Sequence, residues 1–147
     1  MTTKRLTPAQ FRALAAYHDG THWLDADGTD VVVTVPKGAE WTGYGLRGAK
    51  NGSITVDGAG GGCAVRIGSG AGDAVRIGSG SGYAIRDEDG SGDAVRDSDG
   101  DGFALRTGYG DGSAIRTGDG DGSAIRIGSG AGDAIRRGNG GGCAFRR

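Results

Sequence analysis

The chain is poor in most of what a conventional soluble enzyme is built from. Its 147 residues include two Cys, two Pro, one Met and two His, with three Phe, four Tyr and two Trp. No Gly-x-Ser-x-Gly elbow, Walker loop or Cys/His nucleophile pair appears, so the residues point to no enzyme. Charge of one sign is also missing. Seventeen Lys and Arg against eighteen Asp and Glu leave a net charge of −1, which gives no bulk attraction to nucleic acid or membrane. Long apolar runs are absent. Met1 to Pro8 carries no signal-peptide core, and no stretch reaches the ~18 apolar residues of a membrane span. The expected compartment is the cytosol of the producing cell, or a virion released by lysis.

The two cysteines are expected to be free thiols. Cys63 and Cys143 occupy the same repeat position, eight repeats apart. With one repeat per coil they would lie roughly 38 Å apart, and with two per coil roughly 19 Å. Both exceed the ~7 Å between Cα atoms that a disulfide tolerates. Free thiols agree with a reducing compartment.

What the chain does have is glycine, 34 residues of it, and a strict order. Written in tens from Asn51, the second residue is Gly from Gly52 to Gly142, and the tenth is Gly from Gly60 to Gly140. The fourth is Ala from Ala64 to Ala144, after Ile54. The fifth, after Thr55, is large and apolar: Val65, Val75, Ile85, Val95, Leu105, Ile115, Ile125, Ile135 and Phe145. The sixth is Arg from Arg66 to Arg146. A fixed period over this length marks an array in which each unit stacks on its neighbour.

Glycine at ~1 kcal/mol each excludes a helix. Gaps of two, two and six exclude the every-third-residue glycine of collagen. The remaining solution is one short strand per unit, Ala-Val-Arg in type, followed by a Gly-x-Gly-x-Gly return that exploits φ > 0. The expected fold is mainly β: a tight parallel β-solenoid of ten-residue coils over 41–147, with a small N-terminal α+β cap over 1–40. Ten such coils would make a rod of roughly 45 Å. The aliphatic fifth residue is expected to face inward as the core ladder. Faced outward, it would form an apolar stripe with Ile67, Ile77, Thr107, Thr117 and Ile127, a contact surface for another chain.

The cap reads conventionally. Thr7 suits an N-cap and Pro8 the first helical position, and Phe11, Leu14, Ala15 and Tyr17-His18 continue an apolar face to a stop at Gly20. His22-Trp23-Leu24 and Asp30 to Val35 read as strands around the Asp25-Ala-Asp27-Gly28 turn, ended by Pro36. Trp41 adds to the aromatic mass here. An end unit that covers an exposed core is what an array requires. A small domain with its own task is the alternative.

Three features could carry chemistry. The first is the arginine ladder: Arg66, Arg76, Arg86, Arg96, Arg106, Arg116, Arg126, Arg136 and Arg146. In register, neighbours ~4.8 Å apart repel by roughly 1 kcal/mol even in water. Something must satisfy the guanidinium groups. The internal answer is Asp73, Asp93, Asp101, Asp111, Asp119, Asp121 and Asp133 together with turn carbonyls. Residues 51–147 hold 13 acids and 11 arginines, so the array neutralises itself. The external answer is an anionic partner bound along the ladder. Tyr83, Phe103 and Tyr109 are too few to serve as a single-strand stacking platform.

The second feature is acidic turns. Asp97, Asp99 and Asp101 match the first half of a DxDxDG calcium loop, but the bidentate Glu of an EF-hand falls on Gly108. Weak Ca2+ binding is one expectation, plain solvated turns the other; no cofactor is otherwise expected. The third is His18 and His22, at the spacing of a helical metal pair, with Gly20 between them and no third ligand.

The residues carry some resemblances. The acidic glycine turns resemble, loosely, the calcium-binding nonapeptide repeats of secreted RTX proteins, without their period or their fixed Asp. The coil size is similar to that of midge antifreeze solenoids, whose cysteines and tyrosine row this chain lacks. The Gly132 to Arg136 and Gly122 to Arg126 units resemble small glycine-rich repeat proteins of actinobacterial phages. That resemblance covers the array alone and implies no activity. It agrees with a virion component or a phage-encoded binder of a host protein.

The function expected is therefore a non-catalytic structural or interaction protein that presents a repeated Arg/Asp surface on a rigid rod. Its partner would be a protein, or a second copy met through the C-terminal coil. The alternatives are a nucleic-acid-directed module, binding through the arginines or mimicking DNA through the acids, and a calcium-dependent surface protein.

Overall fold

The structure, a computed structural model, describes all residues except 1, 2, 39–41, 60, 61, 80, 81, 88, 98, 100 and 101. Trp41 and Asp101 thus lie outside the described residues.

The chain opens with β1 (Thr3–Leu6) and α1 (Pro8–Leu14). Helix α1 starts where its capping chemistry dictates. The Gln10 amide donates to the Thr7 hydroxyl at 3.1 Å, and the Thr7 amide donates to the Gln10 side chain at 2.9 Å. This reciprocal box satisfies two otherwise orphaned donors, and Pro8 adds a preset φ. The helix stops earlier than its apolar pattern predicts. Ala15 is extended, and Ala16–His18 forms a strand, β2, paired antiparallel with β3 (Thr21–Asp25). Asp19 and Gly20, at φ 50° and 83°, make the two-residue turn between them. An Asp-Gly pair between strand-forming residues is a strong hairpin signal, and it overrides the helical spacing of Tyr17 and His18.

The rest is one parallel solenoid. Strands β4 (Asp30–Thr34), β6 (Ile54–Asp57), β8 (Ala74–Ile77), β10 (Ala94–Asp97), β12 (Ala114–Arg116) and β14 (Ala134–Arg136) follow β1 in a seven-stranded sheet. The second sheet has eight strands. It runs from β2 and β3 through β5 (Gly43–Arg47), β7 (Cys63–Ile67), β9 (Ala84–Asp87), β11 (Ala104–Thr107) and β13 (Ala124–Ile127) to β15 (Ala144–Arg146). From β3 onward, consecutive strands thus alternate between sheets. In the array each residue pairs with the one twenty further on: Ala64 with Ala84, Arg76 with Arg96, Ile125 with Phe145.

One full coil is therefore twenty residues, two decapeptides back to back. The expected ten-residue coil is half of a turn, because a single Gly-x-Gly-x-Gly return reverses the chain once and closing a coil takes two reversals. From β4–β5 to β14–β15 there are six turns, a rod of roughly 29 Å rather than 45 Å. Cys63 and Cys143, both free, are four coils apart, about 19 Å.

The corners explain the glycines. A Cβ on Gly112 would lie 2.0 Å from the carbonyl oxygen of Gly92 in the coil below. No side chain fits there, because successive corners rest backbone on backbone.

The core is built in two ways. In the first turns Val31 and Val33, Tyr44 and Leu46, and Ile54 and Val56 point inward. Phe11 covers them from α1, its ring edge-on to Tyr44 at 5.3 Å. In the array the same inward positions are Ala and Arg: Val31, Ile54 and Ala74 form one column, and Val33, Val56 and Arg76 the next. The aliphatic fifth residues face outward and are mostly half-buried. This corrects the expected inward ladder. Strand side chains alternate between faces, so burying the Ala and Arg of positions four and six turns position five to solvent.

Candidate functional site

The arginine ladder is the interior of the array. Arg66, Arg76, Arg86, Arg96, Arg106, Arg116 and Arg126 are all 0% exposed. Arg136 is half-buried and Arg146 exposed, in the last turn. The expectation that these nine residues form a binding surface for an anionic partner is corrected for the seven that are sealed.

Each strand aims its arginine into the Gly-rich corner of the coil below. The Arg66 Nε donates to the Gly52 carbonyl at 2.7 Å, Nη2 to that of Lys50 at 2.7 Å, and Nη1 to those of Gly48 at 3.2 Å and Ile67 at 2.5 Å. Arg126 repeats this twenty-residue logic three coils on, with Gly112, Gly110, Gly108 and Ile127. Arg86 donates to Gly72 at 2.8 Å, Gly70 at 2.7 Å, Gly68 at 2.8 Å, and Asp87.

The acceptors among the described residues are backbone carbonyls. Of the two internal acceptors expected, acidic side chains and turn carbonyls, the carbonyls make these bonds. Corners this tight leave their carbonyls no strand to pair with, and an unpaired buried carbonyl costs about 1–3 kcal/mol. The planar five-donor fork matches three to four of them at once. Among the described residues no buried side-chain donor or acceptor lacks a partner.

Burial comes at an electrostatic cost. Desolvation first, and then the column neighbours Arg66 and Arg106, push Arg86 down to about 10; Arg96 falls to about 10 by burial and by Arg76 and Arg116. Both remain cationic at neutral pH.

The acids stand outside and clamp coil to coil. Asp73 accepts the Asp93 amide at 2.9 Å and Asp93 that of Ser113 at 2.8 Å. Asp111 accepts from Ala131 at 2.9 Å and Asp119 from Asn139 at 2.8 Å. The calcium candidates behave likewise. Asp97 accepts the Thr117 hydroxyl, and Asp99 accepts the Asp119 amide at 2.8 Å. Among the described residues no three His, Cys, Asp or Glu side chains converge as a metal site. His18 and His22 sit on two arms of a hairpin rather than one helical face. His18 meets Asp19 at 3.1 Å, while His22 lies against Tyr17, its pKa lowered by burial and by Arg12. The Cys63 thiol is buried, which pushes its pKa up.

With the arginines inside, the outer sheet faces carry what the molecule can offer a partner. On the eight-stranded sheet, Val65, Ile85, Leu105, Ile125 and Phe145 align coil by coil. Ile127 is 40% and Phe145 50% exposed. Beside this stripe, two residues earlier on each strand and on the same face, run Cys63, Tyr83, Phe103, Ser123 and Cys143. The rings of Tyr83 and Phe103 stack at 4.1 Å and 20°. Counting in twenties rather than tens would have put these two rings in contact from sequence alone. At the N-terminal end Arg47 covers the Trp23 ring at 5.8 Å.

Comparison with known protein families, curated proteins and solved structures found no match. The fold and its geometry define the class: a mainly β, parallel β-solenoid with a column of arginines. No helix among the described residues is long and apolar enough to cross a membrane.

Proposed function

We propose that this protein is a non-catalytic interaction module, a short rigid rod that offers the outer face of its eight-stranded sheet to a protein partner. The observation that carries this reading is the outward row Val65, Ile85, Leu105, Ile125 and Phe145, held in register across the sheet. Aliphatic side chains aligned on a solvent-facing sheet raise the cost of hydration and are a recognisable interaction surface. The seven sealed arginines, by contrast, are used up on corner carbonyls, so no continuous arginine ladder is open to a nucleic acid; the exposed arginines of the array, Arg137, Arg146 and Arg147, lie in its last turn.

The test compares the wild type with Ile85→Asp/Ile125→Asp. Both side chains are only half-buried, so the variant should keep its circular dichroism. Chemical cross-linking in the producing cells, followed by affinity purification, should yield a defined protein partner with the wild type and lose it with the variant. Equal capture by both would overturn the assignment of this face.

A further inference from the structure

Resting on that reading, we propose that the interface is keyed by one residue: an aromatic side chain of the partner inserts beside Phe103 and continues the ring stack of this chain. The Ala84, Ala104, Ala124 register makes residues 83, 103 and 123 successive rungs on one face. The first two rungs are aromatic and stacked, centroids 4.1 Å apart. The third is Ser123, so the stack ends one rung short.

The space it leaves is a cavity of about 280 Å³, bounded by Tyr83, Phe103, Ile125, Asp121, Ser123 and the glycine backbone of Gly102, Gly122 and Gly141. A coil rise of ~4.8 Å admits one further ring in the stack. Offset-stacked rings are favourable beyond their buried area.

The chemistry of the walls selects the occupant. The two polar side chains are already engaged: the Asp121 carboxylate accepts the Gly141 amide at 2.6 Å, and the Ser123 hydroxyl accepts the Cys143 amide at 3.2 Å. The lining is nonetheless mainly apolar, with Tyr83, Phe103 and Ile125 supplying its side-chain surface, which favours a flat apolar ring over a hydroxyl-rich sugar. A nucleobase would bring phosphate towards the Asp121 carboxylate. A neutral aromatic side chain meets neither objection. Ile125 belongs both to this slot and to the outward aliphatic row, so a residue seated here is continuous with the proposed contact face.

The probe is N-acetyl-L-tryptophanamide, with N-acetyl-L-leucinamide as control, titrated into 15N-labelled full-length protein. The tryptophan amide should give saturable shifts at residues 102–105 and 121–125, with a dissociation constant on the order of 1 mM. The leucine amide at equal concentration should leave them unmoved. Ser123→Tyr supplies the missing rung internally at the cost of the hydroxyl bond to the Cys143 amide; it should keep its circular dichroism and abolish the shifts. Equal shifts with both amides, or shifts that persist in Ser123→Tyr, would overturn the slot. In the partner capture, Ser123→Tyr should lose the protein that Ile85→Asp/Ile125→Asp loses. If only the isoleucine variant loses it, the slot falls and the contact face stands.

Discussion

The first turns and the array solve the same packing problem with opposite chemistry. In the first turns the inward columns are Val31, Ile54, Val33, Val56, Tyr44 and Leu46, sealed by Phe11. In the array the same columns hold Ala from Ala84 to Ala124, with arginine beside it. The apolar turns gain stability from burial of methyl groups, roughly 25 cal/mol per Å². The array has little apolar area to bury. It gains by pairing carbonyls that its tight corners would otherwise strand, each bond to a charged donor contributing about 1.5–3 kcal/mol. An aliphatic side chain satisfies a neighbour by shape alone. An arginine satisfies one by donor position, and so fixes the register as well.

That contrast can be broken most sharply at the centre of the array. Arg86→Leu is of similar bulk and more apolar, yet it strands the carbonyls of Gly68, Gly70 and Gly72. We expect a loss of about 3–5 kcal/mol in urea unfolding. Arg86→Lys should recover only part, since an ammonium cannot span three carbonyls. A neutral or stabilising Arg86→Leu would show the array core to be ordinary and the arginine to serve something else.

The corners give the next largest effect. Gly112→Ala forces a Cβ to within 2.0 Å of the Gly92 carbonyl, and should cost about 3 kcal/mol, the upper range for overpacking. Gly20, in the N-terminal hairpin, has φ +83° but open space where a methyl group would stand, with nothing within 4 Å. Gly20→Ala should therefore cost about 1 kcal/mol of backbone strain. Thermal denaturation of the two variants side by side separates stacking from conformation. Equal losses would mean that the corners do not rest on one another.

At the helix that covers the first turns, Thr7→Ala removes the cap seen in the Thr7–Gln10 box and should cost about 1 kcal/mol. Amide exchange should speed up in 9–14 while the array remains protected. The smallest effect is in the pH dependence. Because burial lowers the His22 pKa, the folded state binds its proton less well than the unfolded chain. Stability should therefore fall as pH drops through about 6.5 and below. His22→Gln should flatten that slope between pH 7 and 5, as measured by Tm. A slope of unchanged steepness would place the titration elsewhere.

Much of this is legible in the residues. Ala64-Val65-Arg66 and its successors read as strands, and are strands. The glycine pairs read as returns, and Thr7-Pro8 as a helix start. Where the residues mislead, the causes are identifiable. Tyr17 and His18 follow helical spacing, yet the Asp19-Gly20 turn needs them extended. The ten-residue period is real but chemical; it reports the half-coil, and nothing in it distinguishes one return per coil from two. The Tyr83–Phe103 stack is hidden by the same ambiguity.

The residues alone settle that the chain is a parallel β array with glycine corners, strands starting at Ala, and an arginine in every unit after the first. They do not settle which way that unit faces. Transfer free energies taken alone put valine and isoleucine inside and arginine outside, since a buried charge without partners is costly. Only the closed twenty-residue coil supplies the partners: corner carbonyls aimed inward, three to a guanidinium, at positions no single decapeptide contains. Three of the four acceptors of Arg66 lie fourteen to eighteen residues before it, and only the fourth, Ile67, is its chain neighbour. Tertiary closure creates them, and with them the reason for the arginine.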